Sequence, residues 1–373
     1  MALMESALSM MRISLGPSLT FTTSPMKSAL HFVEELKQKN LINKVNRIQV
    51  KLHGTLSTIG KSRLTDTAVL LGLSGSRPET VDLDSIPTLI DTIKKTGRLK
   101  LGGQYDVKLQ PQTDIIYIND KVDGNNGIVF EAFQSGTSEK KLHIHSYYSY
   151  HSGIVSDSYG YNYPPILKGE VPHYYSNASE LLEACKKRHT MISTIIMENE
   201  SSIQKKSIDS IIKYIDKNIW GTMKETLNRG LNSEGFLPGK LKLARRAPSL
   251  YRLHKSSKIL NSDPKSILDW ITIYALAISE ENAAGGRIVA MPTSCSCAPV
   301  PAIMEYFNHF VHETTPEERA RYFLTCSAIG LLYKKNASIS GEVVGCQGEI
   351  GVASSMAAAG LTELLTRNPW RVL

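Results

Sequence analysis

Hydrophobic positions along the 373-residue chain change period about half-way, and that change divides it into two regions. In the first, Met26, Leu30, Phe32, Val33 and Leu36 recur at three- and four-residue steps, so Pro25–Lys39 predicts a helix with proline at its first turn. Arg47–Leu52 alternates instead, with Ile48, Val50 and Leu52 on one face, as in a half-buried strand. Helical spacing returns over Thr65–Leu73. Ile115–Ile118, Gly127–Phe133 and Leu142–Tyr148 predict strands, divided by turn-rich pieces such as Asp123–Gly127. From Asn177 the pattern is helical: Ser179–Glu198, Ser207–Leu231, Pro264–Ser279, Val300–Val311, Glu317–Leu332 and Ala353–Thr366 all suit helices. The expected class is α+β. An α+β domain covers residues 1–155, a Tyr-, Pro-, Ser- and Gly-rich linker or covering loop covers 156–176, and an all-helical domain covers 177–373.

Composition sharpens this picture only slightly. Hydrophobic residues make up 42% and charged residues 21%, enough apolar material for a sizeable core. The formal charge of +8 raises a polyanion-binding reading, but the basic residues are scattered. Only Lys240, Lys242, Arg245, Arg246, Arg252, Lys255 and Lys258 form a dense stretch, and no nucleic-acid module surrounds it. A solvated face is the expectation, with no nucleic-acid partner. Trp270–Ile278 is too short to span a bilayer, and Met1–Gly16 lacks a signal-like hydrophobic stretch. A soluble, cytoplasmic protein without a membrane partner is expected.

The five cysteines are Cys185, Cys295, Cys297, Cys326 and Cys346, an odd number that argues against a disulfide framework. Cys185 and Cys326 read as buried thiols, whereas the Cys295-x-Cys297 pair has the spacing to hold a soft metal. Asn336–Gly341 and Gly345–Gly351 are the most unusual segments, with glycines flanking Cys346 and Gln347. Two readings stand: a cluster ligand among backbone N–H groups, or tight helix packing around a thiol. Glu281–Val289 likewise reads as a loop for an anionic ligand or as a strained helix connection.

These residues carry a resemblance to the bacterial-type, iron–sulfur L-serine dehydratases (L-serine ammonia-lyases). It runs through Gly16-Pro17-Ser18 with Pro25-Met26-Lys27, Val81–Pro87, Leu227–Arg246, Asp269–Arg287, Asn336–Gly341, Gly345–Gly351 and Ser355–Leu361, in the same order over nearly the whole chain. The resemblance implies a β-domain followed by a helical catalytic α-domain. It also implies L-serine as substrate, no pyridoxal cofactor, and a 4Fe–4S cluster held by three cysteines with one iron left open. In the family that iron acts as a Lewis acid on the serine hydroxyl while a base removes the α-proton; the product hydrolyses to pyruvate and ammonia. Carried over, Cys346 matches the first cluster ligand. Ser18, Thr20 and Thr22 lie on the substrate-side loop, and Asn336, Ser338 and Ser340 match polar positions near the ligand segment. Cys297 matches a family cysteine that is not a ligand.

Departures fall where the chemistry belongs. The family has histidine at the positions of Phe21 and Leu64, so no catalytic residue is intact there. A glycine-rich family segment reads Tyr147–Gly153 here, and the stretch before Cys297 reads Ser294-Cys295-Ser296. The resemblance places the second and third cluster cysteines beyond Leu373. The expectation is therefore an α-domain incomplete at its C-terminus, a cluster not assembled by this chain alone, and impaired activity. Cys295 or Cys297 stands as a substitute ligand if the fold brings one to Cys346. As partners, the expectation names a homo-oligomer, a full-length relative or a separately encoded C-terminal part. The alternative function is a non-catalytic protein that binds an amino acid or a paralogue.

Overall fold

The computed structural model describes residues 2–121, 126–134, 140–149, 153, 155–157, 159–160, 162–163, 167–257 and 265–373. Residues 123–125 of the expected turn and Tyr150, His151 and Ser152 lie outside them. The chain forms two compact units, Ser14–Pro165 and a second made of Met1–Ile13 with Ile166–Leu373.

The expected first boundary at residue 155 and the expected linker over 156–176 both differ from this division. In the second unit, strand β1 (Ala2–Glu5) lies antiparallel to the strand Lys168–Val171. The chain start is fastened further by Glu200, whose carboxylate accepts from Ser6 Oγ at 2.5 Å and from Ala7 N at 2.8 Å. Pairing between residues so far apart in sequence leaves no local period to read. The strand β2 (Arg12–Leu15) holds the point where one unit gives way to the other.

The Ser14–Pro165 unit is built on an eight-stranded mixed sheet. Its strands are β3 (Val45–His53), β4 (Arg98–Leu101), β5 (Tyr105–Lys108), β6 (Ile115–Ile118), β7 (Gly127–Gln134), β8 (Lys141–Ser149), β9 (Val155–Asp157) and β10 (Asn162–Tyr163). They run in the order β10-β9-β8-β7-β3-β5-β4, with β6 also pairing β3. Two of the strands therefore occupy sequence expected as linker. β3 is antiparallel to β7 and parallel to β5 and β6, and its alternating Ile48, Val50 and Leu52 are all buried. The helix Ser24–Gln38 lays Ala29, Phe32, Val33 and Leu36 into the same core, where Phe32 stacks on Phe130 with ring centroids 5.1 Å apart. The helix Thr65–Leu73 packs with its backbone close against the backbone of that helix. A Cβ at Gly72 would meet the Met26 carbonyl at 2.2 Å, which only glycine avoids.

The other unit is mainly helical, with the short strands β1, β11 (Lys168–Val171) and β12 (Arg287–Ala290). The run expected as one helix over Ser179–Glu198 is two, Ala178–Arg188 and Ile192–Gln204, parted by His189 in the left-handed region at φ 50°. Ser207–Leu231 is one continuous helical run with a wide turn over Ile215–Trp220. The long helix Pro316–Asn336 starts at a Thr315–Glu318 capping box and buries Tyr322, Phe323 and Leu324. Among the described residues no helix is long and apolar enough to cross a membrane. The architecture is a β-domain followed by an α-domain.

Candidate active site

The sequence-derived site residues fall into two groups, one in each unit. In the sheet unit, Leu19–Thr23 winds into one wide turn whose Thr22 and Thr23 N–H groups both donate to the Ser18 carbonyl, at 3.0 and 3.1 Å. Ser18 Oγ accepts from the Phe21 N–H at 3.2 Å, and Thr22 Oγ1 donates to the Arg63 carbonyl at 2.8 Å. The Thr65 hydroxyl donates to the Phe21 carbonyl, and Ser149 Oγ donates to the Thr20 carbonyl at 2.7 Å. Gly153 (φ 72°) completes the enclosure, since a Cβ there would stand 3.1 Å from Leu19. Ser18–Thr23, Arg63–Thr65, Ser149 and Gly153, separated along the chain, thus meet at one loop.

What they present is a positioned backbone rather than an acid or base. The hydroxyls of Ser18 and Thr22 are spent on holding the loop, and Thr20 is buried. Phe21 packs against the apolar core of its unit. Leu64 sits at φ 60°, ψ 28°, the left-handed region, as the residue preceding the helix Thr65–Leu73. Neither can exchange a proton.

In the helical unit, Asn336 donates from its amide to the carbonyls of Leu332 (3.0 Å) and Ser176 (2.9 Å), closing the end of its own helix. It also lines a pocket of about 410 Å³ with Leu332, Tyr333 and Ala359. Ser338 Oγ accepts from the Ser340 N–H at 3.2 Å. The helix Gly341–Thr366 is interrupted at Gly345, whose φ of 68° and ψ of 171° are open to glycine and strained for other residues. The helix resumes at Cys346, so Cys346–Gly351 is helical rather than an open nest of backbone N–H groups. Cys346 is exposed at that restart, and its sulfur lies within 4.8 Å of Cys295 Sγ and a Glu349 carboxylate oxygen.

The remaining thiols differ. Burial, then the neighbouring Cys295, pushes Cys297 up to about 12, and burial likewise raises Cys185 to about 12. Burial drives Cys326 higher still. These three stay protonated and are poor metal ligands. Glu349 was missed at the sequence level, although its i, i+3 spacing from Cys346 places both on one helical face. Nothing local in the sequence ties Cys295 to Cys346.

Other marked segments are structural. Glu281 lies between Arg229 Nε (3.2 Å) and Arg245 Nη1 (2.9 Å), and Gly286 passes so close that a Cβ would stand 2.4 Å from its carboxylate. In the basic stretch, Arg245 pairs with Glu281 and Arg252 with Glu234 at 2.7 Å. Glu281–Val289 therefore serves as a braced helix connection.

The serine dehydratase beta chain family matches residues 6–159, and the serine dehydratase alpha chain family matches residues 187–373. L-serine dehydratase 1 of Escherichia coli is 40% identical over 372 residues, covering 99% of this chain and 80% of that relative. The chain belongs to the L-serine dehydratase family. L-serine dehydratases of Haemophilus influenzae (38% over 371 residues) and Helicobacter pylori (36% over 373) match with the same coverage, 99% of this chain and 80% of each relative. The two family matches follow the order of the sheet and helical units.

The family resemblance implies a 4Fe–4S cluster, which draws each of its thiolates to a different iron. Among the described residues, Cys346 is grouped with one other thiol and one carboxylate, all converging within 4.8 Å. That donor set does not fit a three-thiolate cubane.

Proposed function

We propose that this chain binds L-serine and carries the L-serine ammonia-lyase reaction, loss of water followed by hydrolysis of the resulting aminoacrylate to pyruvate and ammonia, at a severely reduced rate. The substrate follows from the relatives, which are L-serine dehydratases by name and align over almost the whole chain. The single observation behind the reduced rate is the loop at Ser18–Thr23. Its backbone frame is complete, yet Phe21 and Leu64 occupy the positions at which the family resemblance implies histidines. A positioned proton-transfer group typically contributes about 10²–10⁴ in rate, so turnover at least roughly 100-fold below a histidine-bearing relative is expected.

Anaerobic reconstitution with iron and sulfide, followed by a pyruvate assay with L-serine, tests the rate. Turnover equal to that of the Escherichia coli relative would refute it. Calorimetry with L-serine tests the substrate separately, and no heat of binding at millimolar L-serine would remove it. A second reading, non-catalytic amino-acid binding, is favoured by Phe21, a partly buried side chain packed against the apolar core where the resemblance implies a histidine. Binding of L-serine with no pyruvate formed would select it.

A further inference from the structure

We infer that Cys295, Cys346 and Glu349 form a site for one soft divalent ion of the zinc or ferrous class, a mononuclear site built partly from a residue outside the implied cluster ligand set. It stands independently of L-serine turnover. The first support is scale. Two thiolates sharing a tetrahedral zinc lie about 3.8 Å apart, given metal–sulfur bonds of about 2.3 Å, whereas thiolates on separate corners of a cubane diverge. Here all three donor atoms fall within 4.8 Å of one another.

The second support is charge. Glu349 is only 6% exposed, and among the described residues no lysine, arginine or histidine pairs with its carboxylate. The buried Glu131 shows the usual arrangement, with Lys51 at 2.8 Å and Lys141 at 2.9 Å. A bound divalent ion would supply the cationic partner that Glu349 lacks among the described residues. The donor chemistry agrees, because two sulfurs with one oxygen select zinc or iron over calcium or magnesium.

The third support is that each donor is separately positioned. Gly341 lies over Glu349, where a Cβ would stand 2.7 Å from its carboxylate oxygen. Gly345 resets the chain so that Cys346 opens the helical turn carrying Glu349. Cys295 sits in a turn fixed by Ser296 Oγ, 2.9 Å from Thr293 Oγ1 and accepting from Thr293 N at 3.2 Å. Both Cys295 and Cys346 are exposed, so an ion has access and a fourth position stays open to water.

The test is anaerobic titration of the metal-free chain with Co²⁺ in a non-thiol reductant, following the near-ultraviolet thiolate-to-cobalt band, then displacement by Zn²⁺. One equivalent should bind with a two-thiolate band. Cys295→Ser should roughly halve the band and weaken Zn²⁺ binding about 100-fold or more, beyond the 10–100-fold typical of outer-shell changes. Glu349→Gln should weaken binding and leave the band intensity unchanged. Both cysteines are exposed, so their serine variants should keep the unmodified circular dichroism. Cobalt binding without a thiolate band, or a band indifferent to Cys295→Ser, overturns the site. So does iron–sulfide reconstitution yielding the same cubane spectrum with and without Cys295.

Discussion

Two three-residue groups each bring their ligand atoms within 4.8 Å of one another, Glu35–His143–His145 in the sheet unit and Cys295–Cys346–Glu349 in the helical unit. Their surroundings separate them. Glu35 Oε2 is hydrogen-bonded to His145 Nδ1 at 2.5 Å, to the Tyr147 hydroxyl at 3.1 Å and to His143 Nε2 at 3.2 Å, with Lys39 3.6 Å from its other oxygen. That carboxylate already has its partners, and a cation entering would have to displace them. In the thiol group the carboxylate has no cationic partner among the described residues, and the sulfurs face solvent. Proximity of ligand atoms therefore does not define a metal site; charge left uncompensated does.

The largest expected effect breaks this comparison directly. Cys346→Ser should lower Zn²⁺ affinity by roughly 100-fold or more, whereas Glu35→Gln should leave it unchanged, as read by metal content after dialysis. Equal sensitivity to both would mean that the sheet-unit group also holds metal. Next, Glu35→Ala should cost about 2–4 kcal/mol in denaturant unfolding, because it strips partners from the buried His145 and Tyr147. A loss below about 0.5 kcal/mol, the scale of an ordinary surface change, would show that the network is not structural.

A smaller effect is expected at Leu64. Relief of the left-handed backbone by Leu64→Asn should raise stability by about 1 kcal/mol, read as a higher Tm. Destabilisation would show that the partly buried leucine side chain outweighs its strained backbone. Leu64→His should be tolerated for the same backbone reason and, if the proposed function holds, should raise pyruvate formation.

The smallest effect is pH dependence. Burial pushes His31 and His143 below the ordinary histidine value. Burial alone would raise Glu35, but hydrogen bonds from His143 and His145 outweigh it and hold the carboxyl low. In each case the unfolded chain takes up protons before the folded one, so stability rises with pH. The loss should begin as pH falls below about 6.5 through the two histidines and continue below about 4.5 through Glu35. A sheet unit that melts higher at pH 5 than at pH 7.5 would contradict this sign.

Much of the local structure was legible in the chain. Thr65–Leu73 forms a helix over the expected residues, and Ile48, Val50 and Leu52 line one face of β3 as their alternation implied. Helical spacing also located the long helices after Asn177, apart from the break at His189. The Ser18–Thr23 loop was legible as a motif, and its Ser18 and Thr22 hydroxyls both hold one turn. The helix Ile86–Thr96 and the strands β4 and β5 were not anticipated.

Residue periodicity decides which face of a helix or strand is apolar, because the repeat is short and each position tests it. The change from mixed to helical periodicity was readable on the same terms, whereas the meaning of Phe21 and Leu64 rested on the family resemblance alone. Partnership across long stretches of chain had no such signal. Only folding seats residues 2–5 beside 168–171, inserts 155–157 into the large sheet, and brings Cys295 to Cys346. Those contacts arise where backbone hydrogen bonds must close and buried charge must be compensated, conditions that exist only once the chain is compact.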